Sequence, residues 1–273
     1  MLVLQLLLLF WFGLGVQSGQ SALSIYESNC QLRPCYTLNL ACDNDGQLKQ
    51  CFKGARLVNP KEFQDEIDSS FNTLRDNAAG GKVYKNLPIA ARMGRMSWNT
   101  ELAHLAKLDV YRCQLQPTPC ISTQTSYRAG RLAETYAHHY DNTSSGLGVA
   151  IQSIISGWTQ HVRSITRYAT LHVPDNLDEH NILSTSLLLL EDNTQYACAG
   201  LQYVHEYNFI FLFSCLFNTD NQEDQRMYQW GIRPGERCRR RDKRYTNLCA
   251  VGENYVRQKN HRKVQAVRLM HTT

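Results

Sequence analysis

The 273-residue sequence lacks internal repeats, low-complexity tracts and, beyond residue 16, any apolar run long enough to cross a membrane. A membrane-spanning helix needs about 20 consecutive apolar residues. The segment Leu2–Val16 is shorter than that, contains one polar residue, Gln5, and is followed by small residues up to Ala22. This pattern is typical of a secretory signal peptide. We therefore predict a signal peptide over residues 1–22, a secreted protein of the extracellular space, and no transmembrane helix.

The ten cysteines include no Cys-x-x-Cys pair, which is the spacing that zinc sites commonly use. An even number of cysteines in a chain sent to an oxidising compartment indicates disulfides instead. We predict five disulfides, and we predict no metal site and no cofactor. The ten positions are Cys30, Cys35, Cys42, Cys51, Cys113, Cys120, Cys198, Cys215, Cys238 and Cys249.

Acidic residues are scarce at the C-terminal end. From Arg226 onward there are 13 Lys and Arg against 3 Asp and Glu, although the whole chain holds 29 against 24. A basic end on a secreted chain can contact an anionic surface such as glycosaminoglycan or anionic lipid, or an acidic partner. The simpler interpretation, which we favour, is a solvated, disordered end. Nucleic acid is not a predicted partner.

The periodicity predicts helices in the first part of the domain. After Pro60, apolar residues recur at helical spacing from Phe63 to Leu74, and Gly80 and Gly81 end the pattern. A second helix is expected from a cap at Asn99 or Thr100 up to Cys113, and a third after Gly148, with an apolar stripe that reaches Ile165.

The later part has shorter apolar runs, which predict buried strands at 187–190, 196–201 and from residue 208. Helices followed by strands indicate an α+β domain with helices packed on a sheet. We divide the chain into a signal peptide (1–22), a cysteine-rich leader (23–58), the main domain (59–231) and a basic extension with one cysteine pair (232–273).

Four segments, in this order, carry a resemblance to a known family: "FNTLRD", "MSWNTELAHLAKLDVYRC", "IISGWTQHV" and the pair "LSTSLLLLEDNTQYACAG" and "FLFSCLFNTDNQEDQRMYQWG". Together they resemble the CAP superfamily of cysteine-rich secretory, antigen-five and pathogenesis-related proteins, and in particular its insect antigen-five branch. The resemblance spans 30–231 and implies an α-β-α sandwich, the CAP (SCP) domain fold. It also implies the pairs Cys30–Cys42, Cys35–Cys120, Cys51–Cys113 and Cys198–Cys215, which leaves Cys238 to pair with Cys249.

Family members with an intact cleft carry a tetrad of two histidines and two acids that can hold a divalent metal. Here the resemblance places those positions on Phe71, Arg131, His161 and Ser184, unless the alignment shifts the second acid to Glu134. Phenylalanine has no lone pair to give, and a guanidinium repels a cation. We therefore predict a degenerate tetrad, no catalytic residue and no metal ligand, so the protein is not expected to be an enzyme.

The same cleft could in principle hold a serine nucleophile or use His180 as a metal ligand. Ser184, His161 and Glu134 would supply a serine nucleophile, but no nucleophile-elbow motif accompanies the serine. His180 is expected to be solvated beside Asp178 and Glu179 rather than a ligand, because using it would shift the register of a predicted strand.

Three further features concern the surface. The adjacent pair His138 and His139 is expected in an extended surface loop before Asp141. Asn142 begins an Asn-Thr-Ser glycosylation sequon, and Arg244 ends an Arg-x-Lys-Arg sequence that secretory proteases can cut.

The predicted function is that of a secreted, non-enzymatic CAP-domain protein that binds an extracellular protein or a surface. The resemblance suggests an insect reproductive (seminal) or other glandular secretion as the setting. The alternatives are a lipid or sterol carrier with an apolar groove near Phe71, and a residual metal-dependent hydrolase.

Overall fold

A computed structural model describes residues 29–48, 51–139, 146–173, 180–222 and 225–255. The predicted signal peptide, the sequon at Asn142 and residues 256–273 lie outside this part of the chain. The helices are α1 (Gln64–Gly80), α2 (Thr100–Val110), α3 (Gly146–Thr159) and α4 (His180–Leu189). The strands are β1 (Arg56–Leu57), β2 (Ser97–Trp98), β3 (Gly130–His139), β4 (Gln195–His205) and β5 (Asn208–Phe217), and short 3-10 helices cover Tyr36–Leu38, Pro60–Glu62 and Gln160–Ser164.

The first two helices follow the sequence prediction. In α1 the buried stripe contains Ile67, Phe71 and Leu74, and the helix ends at Gly81, whose φ of 65° is the left-handed conformation that glycine adopts without strain. At the start of α2 the Asn99 side chain accepts a hydrogen bond from the Leu102 N–H at 2.9 Å, as predicted for a cap.

The sheet has the strand order β1-β4-β5-β3, and β2 pairs in parallel with β4 on the same edge as β1. The long β4–β5 hairpin turns through Glu206 and Tyr207, which have φ values of 46° and 63°. Two left-handed residues are what a tight two-residue hairpin needs to match the twist of its strands.

Helices cover both faces of the sheet. Alternate residues of β4 and β5 pack against α1, α3 and α4 on one face, and the others pack against α2 and the leader on the opposite face. Tyr196 and Cys198 lie in the first core, whereas Ala197 and Ala199 lie in the second. The predicted α-β-α sandwich is therefore confirmed.

All five predicted disulfides are present in the structure: Cys30–Cys42, Cys35–Cys120, Cys51–Cys113, Cys198–Cys215 and Cys238–Cys249. The second and third join the leader to the segment after α2, across 85 and 62 residues of chain. Cross-links that close such long loops each contribute on the order of 2 to 4 kcal/mol, chiefly by restricting the unfolded chain.

The predicted strand at 187–190 is wrong, because these residues form the end of helix α4 and the turn after it. Leu187, Leu188, Leu189 and Leu190 are all buried, and a short apolar run fits a buried helix as well as a buried strand. The expected strand was the reason to exclude His180 as a ligand, and the helix removes that reason. His180 begins α4, and its side chain lies outside the described part.

The guanidinium of Arg75 holds the end of α4 in place. It donates to the carbonyl oxygens of Gly94 at 2.7 Å, Leu188 at 2.5 Å and Leu190 at 2.9 Å, and it is completely buried. Burial lowers the pKa of Arg75 to about 10, so the group remains charged at neutral pH. A cation at the carbonyl end of a helix is favoured by the helix dipole.

Two other predictions are corrected. His138 and His139 end strand β3, a strand the sequence analysis missed, rather than lying in a loop. The expected solvated end is folded at least to residue 255, because Tyr245, Leu248 and Cys249 are buried, and the Cys249 N–H donates to the Met93 carbonyl at 2.8 Å.

Candidate functional site

Phe71, the first predicted tetrad position, is a core residue. Its side chain is fully buried, and its ring contacts the rings of Tyr196 and Phe217 with centroid distances of 5.4 and 5.8 Å. Aromatic contacts of this kind stabilise a core and offer no metal ligand.

Arg131, the second position, lies on the opposite face of the sheet. Its Nε donates to Asp109 Oδ2 of helix α2 at 2.6 Å, and its Nη2 donates to the Leu115 carbonyl at 2.7 Å. The next residue, Leu132, packs in the core on the α1 side, as strand alternation requires. Arg131 therefore does not meet Phe71, His161 and Ser184 in one cleft.

Asp109 is the partner that makes the burial of Arg131 tolerable. The carboxylate is fully buried and also accepts from Ser214 Oγ at 2.7 Å and from Arg112 Nη1 at 2.9 Å. A buried charge is tolerated when it is paired and hydrogen-bonded in this way. Sequence reasoning missed Asp109, although an acid within the apolar stripe of α2 was a visible signal.

The position on the α4 side of β3 is Gly130, which has no side chain. A Cβ there would clash with the Thr219 carbonyl oxygen and lie 2.7 Å from Leu187 Cδ1, so the backbone at this position leaves no room for the side chain of an acid. Glu134, the alternative acid, is exposed on the same strand. Neither alignment therefore supplies a buried acid at the start of β3.

His161 and Ser184 lie on two elements that pack against each other. His161 is in the 3-10 turn after α3, and α4 packs against that turn, with Thr185 Oγ1 donating to the Trp158 carbonyl at 2.7 Å. The His161 Nε2 atom is buried and has no hydrogen-bond partner within the described residues. Ser184 is half-buried on α4.

Potential metal ligands converge at one place in the described residues, and it is not this cleft. Cys30, Cys42 and Asp43 lie within reach of a common point, but the two sulfurs are joined in a disulfide. Zinc binds cysteine as thiolate, so this group does not fit a metal.

A groove of about 460 Å³ runs between α1 and α3. Its apolar lining comes from Leu74, Ile155 and the ring of Tyr84, and the rest is hydroxyl, amide and carboxylate groups. The polar lining residues are Glu66, Ser69, Ser70, Thr73, Asn77, Gln152, Ser156 and Thr159. Binding sites for lipids are lined mainly by apolar side chains, and this groove is not.

A second depression, of about 560 Å³, lies in the C-terminal part. We call residues 233–244 the cationic loop. It contains seven exposed basic side chains and one exposed acid, Glu236. The basic residues are Arg233, Arg237, Arg239, Arg240, Arg241, Lys243 and Arg244.

Asp242 fixes the conformation of the cationic loop. Its Oδ1 accepts from the backbone N–H groups of Arg244 and Tyr245, both at 2.9 Å, and its Oδ2 accepts from Arg95 at 3.3 Å. Burial opposes ionisation of Asp242, but these donors outweigh it and hold the pKa of the carboxyl below its usual value.

The predicted processing site lies in this loop. Arg244 is exposed, but the next residue, Tyr245, is buried and its N–H is bonded to Asp242. A protease would have to withdraw Tyr245 from the core to cut after Arg244, so the folded loop disfavours cleavage there.

The arrangement defines a class: a disulfide-braced α-β-α sandwich with a leader stapled to one face. The profile of the cysteine-rich secretory protein family, CAP, matches residues 69–217, which is more than half of the chain. The chain belongs to this family.

Curated relatives come from Tabanus yao. Tabinhibitin 7 is 29% identical over 227 residues, covering 82% of this chain and 87% of the relative. Tablysin 15 is 28% identical over 237 residues, covering 86% and 91%.

Two solved structures support the fold. NaASP2, crystallised with Zn²⁺, aligns with a TM-score of 0.53 at 17% identity, covering 73% of this chain and all of that one. BmVAL-1 also gives 0.53, at 16% identity, covering 74% and 98%. Within the described residues, no helix is both long enough and apolar enough to span a membrane.

Proposed function

We propose that this protein is a secreted, non-enzymatic CAP-domain protein that acts by binding an extracellular partner. The observation that carries the proposal is the separation of the predicted tetrad positions. Phe71 is packed in the core, and Arg131 is neutralised by Asp109 on the other face of the sheet. A metal-dependent hydrolase needs ligands and a base that converge on one point.

The family and the cysteines support an extracellular setting. Membership in a family of secretory proteins fits the predicted signal peptide over residues 1–22, and five disulfides fit an oxidising compartment. The name of tabinhibitin 7 indicates an inhibitor, which fits action by binding. Neither the fold nor these relatives supports the reproductive setting, so the proposal stops at an extracellular protein.

The lipid-carrier alternative receives less support. It predicted an open apolar groove near Phe71 and the third helix, and the groove at that place is lined mainly by hydroxyl and amide groups. Phe71 itself is fully buried and does not line this groove.

A calorimetric zinc titration of the secreted, disulfide-intact protein tests the proposal. The matched control is the variant His161→Ala with His180→Ala, which removes both histidines of the region. We expect the same heat from both proteins. Zinc binding at micromolar concentration that disappears in the control would contradict the proposal and assign a metal site to this cleft.

A further inference from the structure

We propose that the cationic loop is a binding site for a sulfated glycosaminoglycan chain. This inference rests on the proposed function, because it names the partner class of a protein that acts by binding. The loop was expected to be a solvated end, and the structure shows it instead as a folded, charged surface.

The charge of the loop is not neutralised from within. All of residues 233–244 are described, and Glu236 is their only exposed acid. Its carboxylate accepts from the Arg233 backbone N–H at 3.1 Å. The two nearby buried acids form ion pairs with arginines outside the loop, Asp242 with Arg95 and Glu253 with Arg92. Within the loop they accept from backbone N–H groups, Glu253 from that of Arg239 at 3.2 Å. Arg241 donates to the Pro234 carbonyl and Arg244 lies over the Tyr245 ring, but within the described residues none of the seven basic side chains forms an ion pair with an acid. Exposed cations without acidic partners attract a polyanion.

The backbone of the loop is preorganised. The Cys238–Cys249 disulfide closes it, the Asp242 N–H donates to the Leu248 carbonyl at 2.9 Å, and the Ala250 N–H donates to the Arg240 carbonyl at 2.8 Å. Leu248 is fully buried in the main core. A rigid array loses less conformational entropy on binding than a disordered basic tail does.

The shape of the surface distinguishes a polysaccharide from a membrane. Arg233, Arg239, Arg240 and Arg241 line the same depression, so four cations face one acid there, Glu236. A single sulfated sugar chain can enter a concave site, whereas the flat surface of a bilayer cannot. Ile232 and Val251 are exposed apolar residues beside the loop, and single exposed apolar residues are ordinary for a protein surface.

The predominance of arginine also fits sulfate. Six of the seven basic residues are arginine, and a planar guanidinium can donate two parallel hydrogen bonds to two oxygens of one anionic group. Lysine offers only a point charge. The chemistry therefore favours a ligand with discrete, repeated oxyanions.

The test is calorimetric titration of the full secreted protein with a heparin octasaccharide. The variant Arg239→Gln/Arg240→Gln/Arg241→Gln removes three charges from the depression. The control Lys53→Gln/Lys61→Gln/Lys82→Gln removes three exposed charges from other surfaces. We expect binding to weaken roughly tenfold or more in the arginine variant, to weaken with added salt, and to change little in the lysine control.

Two further measurements test whether binding depends on the guanidinium groups and on the sulfate groups. The variant Arg239→Lys/Arg240→Lys/Arg241→Lys keeps the charge, and we expect intermediate affinity if guanidinium geometry matters. Desulfated heparin and phosphatidylserine vesicles serve as competing ligands, and we expect weaker binding to both.

Equal affinity of the wild type and the glutamine variant, or equal binding of desulfated heparin, would overturn the proposal. Tighter binding to the vesicles would replace it with a membrane site. A negative result here combined with no zinc binding would leave the proposed function standing and reject only this partner.

Discussion

The region around Phe71 and the cationic loop handle polar chemistry in opposite ways. Phe71 packs against aromatic rings, and the buried charged groups of the sandwich are bonded within the protein: Arg75 donates to backbone carbonyls, and Asp109 on the other face of the sheet accepts from Arg131 and Ser214. In the loop, Arg239 to Arg241 are exposed on a backbone that the core holds rigid. The buried charges of the main domain are bonded within the protein, whereas the charges of the loop face solvent.

This difference separates the charges that hold the fold together from those that are free to meet a ligand. The hydrogen bonds of Arg75 and Asp109 stabilise the sandwich independently of any chemistry in the cleft. Variants of the buried groups and of the cationic loop should therefore differ in their effect on stability and on binding.

The largest effect is expected from Arg75→Met, which removes a buried guanidinium from the main domain. The methionine removes the Arg75 donor from the buried Leu188 and Gly94 carbonyls, and it leaves the Leu190 carbonyl only the Asn193 N–H. We therefore expect the free energy of unfolding to fall by about 3 to 5 kcal/mol. Chemical denaturation measures it. The matched control is Arg239→Met on the exposed loop, for which we expect little change. Equal destabilisation by the two variants would contradict the comparison.

The variant Phe71→His places an imidazole at the predicted ligand position. Because the site is dry and apolar, we expect a loss of about 2 to 3 kcal/mol of stability and no gain in zinc affinity. A buried neutral histidine has a folded-state pKa below its unfolded value near 6.5, so the unfolded state binds more protons and the loss should grow as the pH falls below about 6.5. Denaturation from pH 8 to pH 5 checks the slope. A zinc site created by this single change would show that the other ligands are in place.

The variant Asp242→Asn weakens the anchor of the loop. The lost charge-assisted hydrogen bonds should cost about 1 to 2 kcal/mol at neutral pH. The folded-state pKa of Asp242 is lowered, so its contribution is present above the unfolded value near 3.9 and is lost as the pH falls through the folded value. The stability difference between wild type and variant should therefore shrink as the pH falls below about 4. A difference that stays constant down to pH 2 would contradict this role.

The smallest effect is expected from His161→Ala. The buried Nε2 of His161 has no hydrogen-bond partner in the described residues, so its removal breaks no bond there. We expect a change in unfolding free energy within about 1 kcal/mol and unchanged octasaccharide affinity. His172→Ala, another partly buried histidine, serves as the comparison. A larger loss of unfolding free energy for His161→Ala than for His172→Ala would indicate that His161 has a polar partner. That result would support a functional role for the cleft.

Much of the fold follows from local sequence. Periodicity and capping predicted α1 and α2, and the resemblance to the family implied the disulfide pairs that the structure contains. The prediction of a strand at 187–190 was wrong because four consecutive leucines show neither helical nor strand periodicity. Their conformation is decided by packing against Arg75 and the sheet. Strand β3 was missed because Gly130–His139 mixes charged and apolar residues.

The site was harder to predict than the fold. Counting along the sequence placed Arg131 in a cleft, but strand alternation turns it toward Asp109 of α2. The folding of the C-terminal part depends on Tyr245 and Leu248 reaching a core built from distant segments, which local composition does not reveal. In both cases the decisive contacts join residues far apart in the chain.

Calorimetric titration of the same preparation of secreted protein, with zinc and separately with the heparin octasaccharide, compares the cleft with the cationic loop in one experiment. We predict no saturable heat with zinc and saturable, salt-sensitive binding of the octasaccharide that is lost in the Arg239→Gln/Arg240→Gln/Arg241→Gln variant. Saturable zinc binding without octasaccharide binding would contradict the account and return the chemistry of this protein to its cleft.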